Sequence, residues 1–149
     1  MRSLHLIDIE NLLGDPWLTG PVVGETYEAA LAAGGYRNGD LVYVAANRWM
    51  LGELGFVAHT PCQLLVAHGE DGADLALLAQ APPEWVVKRF DRLVIASGDH
   101  IFAARANTVR AKGVLVDVVR GVGGVSKDLL AIDPSPKRMN IDARELANV

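Results

Sequence analysis

The chain has 149 residues, 50% of them hydrophobic and 21% charged, which is the size and balance of one folded domain over residues 1–149 and excludes a disordered chain. Its formal net charge of −4 gives no support for binding nucleic acid through the whole surface, and its single cysteine, Cys62, excludes an internal disulfide or multi-cysteine zinc site and points to a reducing cytoplasm. The apolar stretches are strand-sized, so no membrane span is expected, and Asp8 and Glu10 come too early for a signal-peptide core.

The first apolar run, Leu4 to Ile9 (LHLIDI), predicts a strand. His5 lies inside it as a core or edge residue. The strand ends in Asp8, with Glu10 on the same side by period-two alternation and Asn11 opening the loop. A carboxylate at the end of a buried strand needs a cation or a set of donors, and capping the next turn is its competing role. Glu25 to Ala33 (ETYEAALAA) predicts a helix stopped at Gly34-Gly35. The second strand, Leu41 to Ala46 (LVYVAA), leads into Asn47 and Arg48, and Arg48 suits a phosphate contact. A short helix follows, from Arg48 to Phe56.

Gln63 to His68 (QLLVAH) predicts the third strand. Glu70, Asp71 and Asp74 then gather at the start of a helix over Ala73 to Gln80, which stops before Pro82-Pro83. Asp71 suits the N-cap, whereas Asp74, just before the apolar Leu75 and Leu78, can point along the sheet edge toward Asp8. The fourth strand, Arg92 to Ser97 (RLVIAS), ends in Ser97-Gly98-Asp99. Gly98 permits a tight turn, and Asp99 stands at the N-cap of a helix over His100 to Ala111. His68 and His100 both flank strand ends, where a pocket could use them, while His59 falls in a turn. Arg105, Arg110 and Lys112 recur at helical spacing as a weak basic patch. Val114 to Val119 (VLVDVV) is the fifth strand, and Asp117 inside it has either a buried hydrogen-bonded role or a site role. After the Gly121 to Gly124 loop, Ser126 to Ala131 makes a brief helix before Pro134, and Met139 to Ile141 could add a short edge strand. Trp17, Trp49 and Trp85 read as packing residues.

Near-continuous apolar strands alternating with helices predict an α/β, Rossmann-like three-layer sandwich around a central, mostly parallel, five-stranded sheet with right-handed crossovers. Such sheets bind ligands at the carboxyl ends of their strands, near the reversal of strand order. Asp8, Asp74 and Asp99 are expected to converge there. Two carboxylates about 5 Å apart at an effective dielectric near 20 repel by roughly 3 kcal/mol, a conflict that a hard divalent cation removes. An all-oxygen set with scattered histidines favours Mg²⁺ or Mn²⁺ over zinc, and such an ion suits phosphodiester hydrolysis.

The order of these segments resembles the NYN domain family, a branch of the PIN-like nucleases. The matching pieces are LIDIENL, GADLALL and LVIASGDHIFA. The family's Asp-x-x-Asn maps onto Asp8 and Asn11, its Gly-small-Asp onto Asp74, and its Ser-Gly-Asp onto Asp99. GVSKDLLAIDP, with Ser126 and Leu129, is similar to the closing Ser-x-x-Leu segment. The resemblance implies a PIN-like fold and a metal-dependent endoribonuclease acting on single-stranded or structured RNA. Asp8, Asp74 and Asp99 would be catalytic and hold the metal, with Asn11 beside them; from their own places at strand ends and helix starts, Glu10, Asp71, Ser97, His100, Asn47 and Arg48 are expected in support. Two positions depart from the pattern. Ile101 stands where a second acid usually follows the Ser-Gly-Asp aspartate, and acidic Asp71 replaces a basic residue.

Three other readings compete with this one. A response-regulator receiver fails because Val66, Ala67 and His68 end the third strand where its phosphoacceptor aspartate would stand. A haloacid-dehalogenase-like phosphatase would use Asp8 as nucleophile, but it has Glu10 for its second aspartate and Ala45-Ala46 for its Ser or Thr. A catalytically inactive module that binds RNA or protein fits Ile101 and the negative charge. A homo-oligomer is compatible with the sequence.

Overall fold

The computed structural model describes residues 1–15, 20–57, 60, 62–69 and 72–141. β1 (Ser3–Asp8) is buried at every position, as a strand covered by helices on both faces must be. Its side chains alternate between two cores: Leu4 and Leu6 enter one cluster and Ile7 the other. It pairs in parallel with β2 (Leu41–Ala46) and with β4 (Arg92–Ala96), Asp8 lying opposite Ala45 and Ile7 opposite Ala96. β3 (Gln63–Val66) adds beyond β2, and β5 (Leu115–Arg120) and β6 (Lys137–Arg138) add beyond β4. The order β3-β2-β1-β4-β5-β6 is parallel throughout.

The expected sheet thus gains a strand, six rather than five. β6 pairs two residues before the stretch where an edge strand was expected, Lys137 lying opposite Val119. α1 (Ile9–Leu13), α2 (Pro21–Ala33) and α3 (Arg48–Val57) bury Leu12, Tyr27 and Met50 in the cluster on one face. α4 (Gly72–Ala79), α5 (Pro83–Arg89), α6 (Ala103–Ala111) and α7 (Lys127–Ile132) bury Leu77, Val86, Ala106 and Leu129 in the cluster on the other. Two prolines read differently from expectation. Pro21 opens α2 four residues before the expected start, and Pro83, expected as a stop, begins α5. At the first helical position proline loses no intrahelical hydrogen bond and its fixed φ suits the helix. Among the described residues no helix is long and apolar enough to cross a membrane.

The amino end of the sheet is closed by a polar network. His5 Nε2 lies 2.9 Å from Asp40 Oδ2, both side chains almost fully buried. Burial outweighs the Asp40 charge and holds the His5 pKa below its usual value. Burial raises the Asp40 carboxyl, but hydrogen bonds from His5, Ser3 and Arg37 outweigh that and hold it below the carboxylate range. Arg92 donates to Ser3 Oγ (2.9 Å), the Gly34 carbonyl (2.6 Å) and Asp117 (3.0 Å). Asp117, also 3.5 Å from Lys137 Nζ, therefore has a pairing role at this end of the sheet. Arg105 donates to the Leu78 and Ala81 carbonyls where α4 ends, so it is spoken for as a helix-end partner rather than as part of a basic patch. Trp85 packs edge-on against Phe90, as expected, whereas Trp17 and His59 lie outside the described residues.

Candidate functional site at the carboxyl ends of β1 and β4

Strand order reverses between β1 and β4, and the polar residues at their carboxyl ends are knitted together. Asp8 is 3% exposed. Its Oδ1 accepts the Asn11 N–H (3.3 Å), capping α1, and its Oδ2 accepts the Ser97 hydroxyl (3.4 Å). Because α1 begins directly after Asp8, Glu10 sits on a helix and not, as the alternation suggested, on the strand. The Asn11 side-chain oxygen accepts the Gly98 N–H (2.8 Å), which fastens the end of β1 to the end of β4.

Asp99 caps the 3₁₀ turn His100–Phe102 by accepting the Ile101 N–H (3.0 Å), and its own N–H donates to Ser97 Oγ (3.2 Å). The turn between them is tight. A Cβ on Gly98 would run into the Gly124 carbonyl, and one on Gly121 into the backbone of Leu12. The Gly98 carbonyl also accepts the Ser126 N–H (2.9 Å), while Ser126 Oγ caps α7 by accepting the Leu129 N–H (3.2 Å). The closing segment thus props the turn that carries Asp99.

Asp74 comes in on the first turn of α4 and is 4% exposed. Its carboxyl hydrogen-bonds with those of both Asp8 and Asp99. Burial first, then these two neighbours, push its pKa up to about 9. Burial also raises Asp8, against the hydrogen bonds from Asp74 and Asn11, and the charges of Glu10 and Asp99 add to the rise. At neutral pH Asp74 therefore keeps a proton, and that proton relieves the repulsion among the three acids.

These acids line a cavity of about 1100 Å³ at the carboxyl end of the sheet. Asp8, Asp74, Asp99, Glu10, Asn11, Asn47 and Arg48 all face it, as does His68. Asn47 also caps α3, its Oδ1 accepting the Trp49 and Met50 N–H groups at 3.1 Å each. Ser97 is fully buried behind the acids and works through Asp8 and Asp99. His100 is outside the lining: its ring is 76% exposed, with Nδ1 3.2 Å from Asp99 Oδ1. Asp71, with Glu70, lies outside the described residues. Ile101 packs against the hydrophobic core and not on the cavity wall.

Sequence reasoning missed Trp49. It was expected to pack, yet it is 59% exposed and lines the cavity. Met50 and Leu54, four residues apart, are fully buried and set the inner face of α3, which leaves Trp49 off that face. The periodicity carried this signal. The Gly123-Gly124 segment of the wall was also missed, because a glycine-rich stretch signals a loop and nothing of what the loop lines.

Among the described residues, no group of three or more His, Cys, Asp or Glu side chains is placed so that it could hold a metal ion. Asp74 instead hydrogen-bonds to its two neighbours, Asp8 and Asp99. No family model, curated protein or solved structure matches this chain.

Proposed function

We propose that the chain is a metal-dependent ribonuclease of PIN-like, NYN-type architecture that hydrolyses RNA phosphodiesters in this cavity. One observation carries the reading: Asp74, buried between Asp8 and Asp99, has a carboxyl pushed up to about 9. A stable fold has no need to crowd three acids at a strand-order reversal, and strongly raised acids in a cleft are a signature of function. The donor set is all oxygen and suits a hard divalent cation. Ligation would require Asp74 to give up its proton and the acid side chains to turn from one another.

Asp8, Asp74 and Asp99 would hold Mg²⁺ or Mn²⁺. The ion would set positive charge against the phosphodiester and ease deprotonation of the attacking water. Ser97 and Asn11 fix the direction of Asp8 and the turn leading to Asp99. Arg48, a cation on the cavity wall, can meet a phosphate oxygen. Bond cleavage adds water to phosphorus and releases a ribose oxygen, which takes up a proton. Because Ile101 supplies no carboxylate, the reading calls for one firmly held ion.

The test is cleavage of single-stranded and structured RNA by purified protein with Mg²⁺ or Mn²⁺. Asp8→Asn and Asp99→Asn should abolish it and EDTA should stop it. No cutting by the wild-type protein, or equal cutting by the variants, defeats the reading. A non-catalytic RNA- or protein-binding module is the second reading, favoured by Ile101 in the core and by the lack of a preformed donor set among the described residues. RNA retained but never cut would support it.

A further inference from the structure

Trp49 presents a large aromatic ring to water at the wall of the acidic cavity. The backbone that carries the ring is held in place. The Trp49 backbone N–H donates to Asn47 Oδ1, and the helix that carries the ring is anchored by the fully buried Met50 and Leu54. The Arg48 guanidinium lies over the ring, 4.6 Å from its centroid. Arg48 is also the one Lys or Arg among the described lining residues. An anchored, exposed aromatic beside a stacked guanidinium offers a flat, cation-edged surface. Such surfaces receive the π-faces of unpaired bases, while a base inside a duplex has both faces covered. At about 1100 Å³ the cavity also exceeds the roughly 300–1,000 Å³ of small-molecule sites, which leaves room for a stretch of polymer.

We propose that Trp49 and Arg48 form a stacking platform for an unpaired base next to the phosphodiester that is cut, which makes the site selective for single-stranded RNA. This rests on the ribonuclease reading for the placement of the phosphodiester and adds the choice of strand. The platform binds without reacting, so its loss should raise KM and leave kcat alone.

The experiment compares wild type, Trp49→Ala and Trp49→Phe on a fluorescein-labelled single-stranded RNA and on the duplex of the same sequence. Anisotropy is read in EDTA, and cleavage in Mn²⁺. Wild type should prefer the single strand. Trp49→Ala should weaken single-strand binding and raise KM by roughly 5- to 150-fold with kcat kept within about two-fold. Trp49→Phe should recover most of the binding, and an RNA lacking the bases beside the cleavage site should bind wild type and Trp49→Ala alike. Because Trp49 is exposed, the variants should melt with wild type. RNA cutting by Trp49→Ala with unchanged KM, or equal losses on duplex and single strand, overturns the platform and leaves the ribonuclease reading standing. Wild-type protein that neither binds nor cuts RNA overturns both.

Discussion

Replacing Asp74 with asparagine should remove a fall of stability with rising pH. In the folded, metal-free protein Asp74 keeps a proton that the unfolded chain releases near 3.8 and the folded chain only near 9. The unfolded state binds fewer protons between those values, so stability is full below the lower one and is lost as pH climbs to the upper one. One proton corresponds to about 1.4 kcal/mol per pH unit. From about pH 6 to about pH 8 the wild type should lose roughly 3 kcal/mol, which for a chain of this length lowers Tm by roughly 6–12 °C. Asparagine copies the neutral acid in shape and keeps a donor toward Asp8 and Asp99. Asp74→Asn should therefore match wild type only below about pH 4, stand above it by roughly 3 kcal/mol near pH 6, and hold its Tm toward pH 8. Thermal melts in EDTA across this range measure the slope. With Mg²⁺ at about a hundred times its Kd, the wild type at pH 8 should regain about 3 kcal/mol and Asp74→Asn much less. A flat wild-type profile in EDTA, or an equal slope in Asp74→Asn, would refute the claim that the acids are crowded around a retained proton.

Four further outcomes follow from packing, burial and hydrogen bonding. Gly98→Ala should destabilise by about 1–3 kcal/mol in urea, because its Cβ meets the Gly124 carbonyl, and should cost cleavage by displacing Asp99. Asp40→Ala should destabilise by about 1–3 kcal/mol, since it strands the N–H groups of Ser3 and Arg37 and the buried His5 ring. His5 itself is held neutral below its usual pKa, so the wild type should also weaken on acidification below about pH 6.5, where the unfolded chain takes up that proton, and His5→Asn should flatten that limb. Thr26→Val should stabilise by about 1 kcal/mol in thermal melts, because the buried Thr26 hydroxyl has no hydrogen-bond partner among the described residues.

The core strands were legible because burial on both faces writes itself as an unbroken apolar run, as LHLIDI and RLVIAS do. Asp8 and Asp99 were legible for the converse reason: an acid ending such a run has no apolar reason to be there. β6 was not, since two residues on an edge leave no hydrophobic pattern. α5 was hidden by reading Pro82-Pro83 only as an ending, when proline serves equally at a beginning. Glu10 went to the wrong element because period-two counting ran one turn past the strand, into a helix capped by Asp8. The partners of Asp117 and Arg105 lie at least 20 residues away in sequence, and no local pattern names them.

Asp8 and Asp99 stand at the ends of the two innermost strands, whereas Asp74 rides on the helix after β3, a four-residue edge strand with Leu64 and Val66 open to water. Elements at a sheet margin open far more often than its centre. A ligand gripped by all three acids would work as a staple from the margin to the middle. Amide hydrogen exchange in α4 would then slow toward that of β1 on loading, and proteolytic nicking near α4 would become a direct gauge of occupancy.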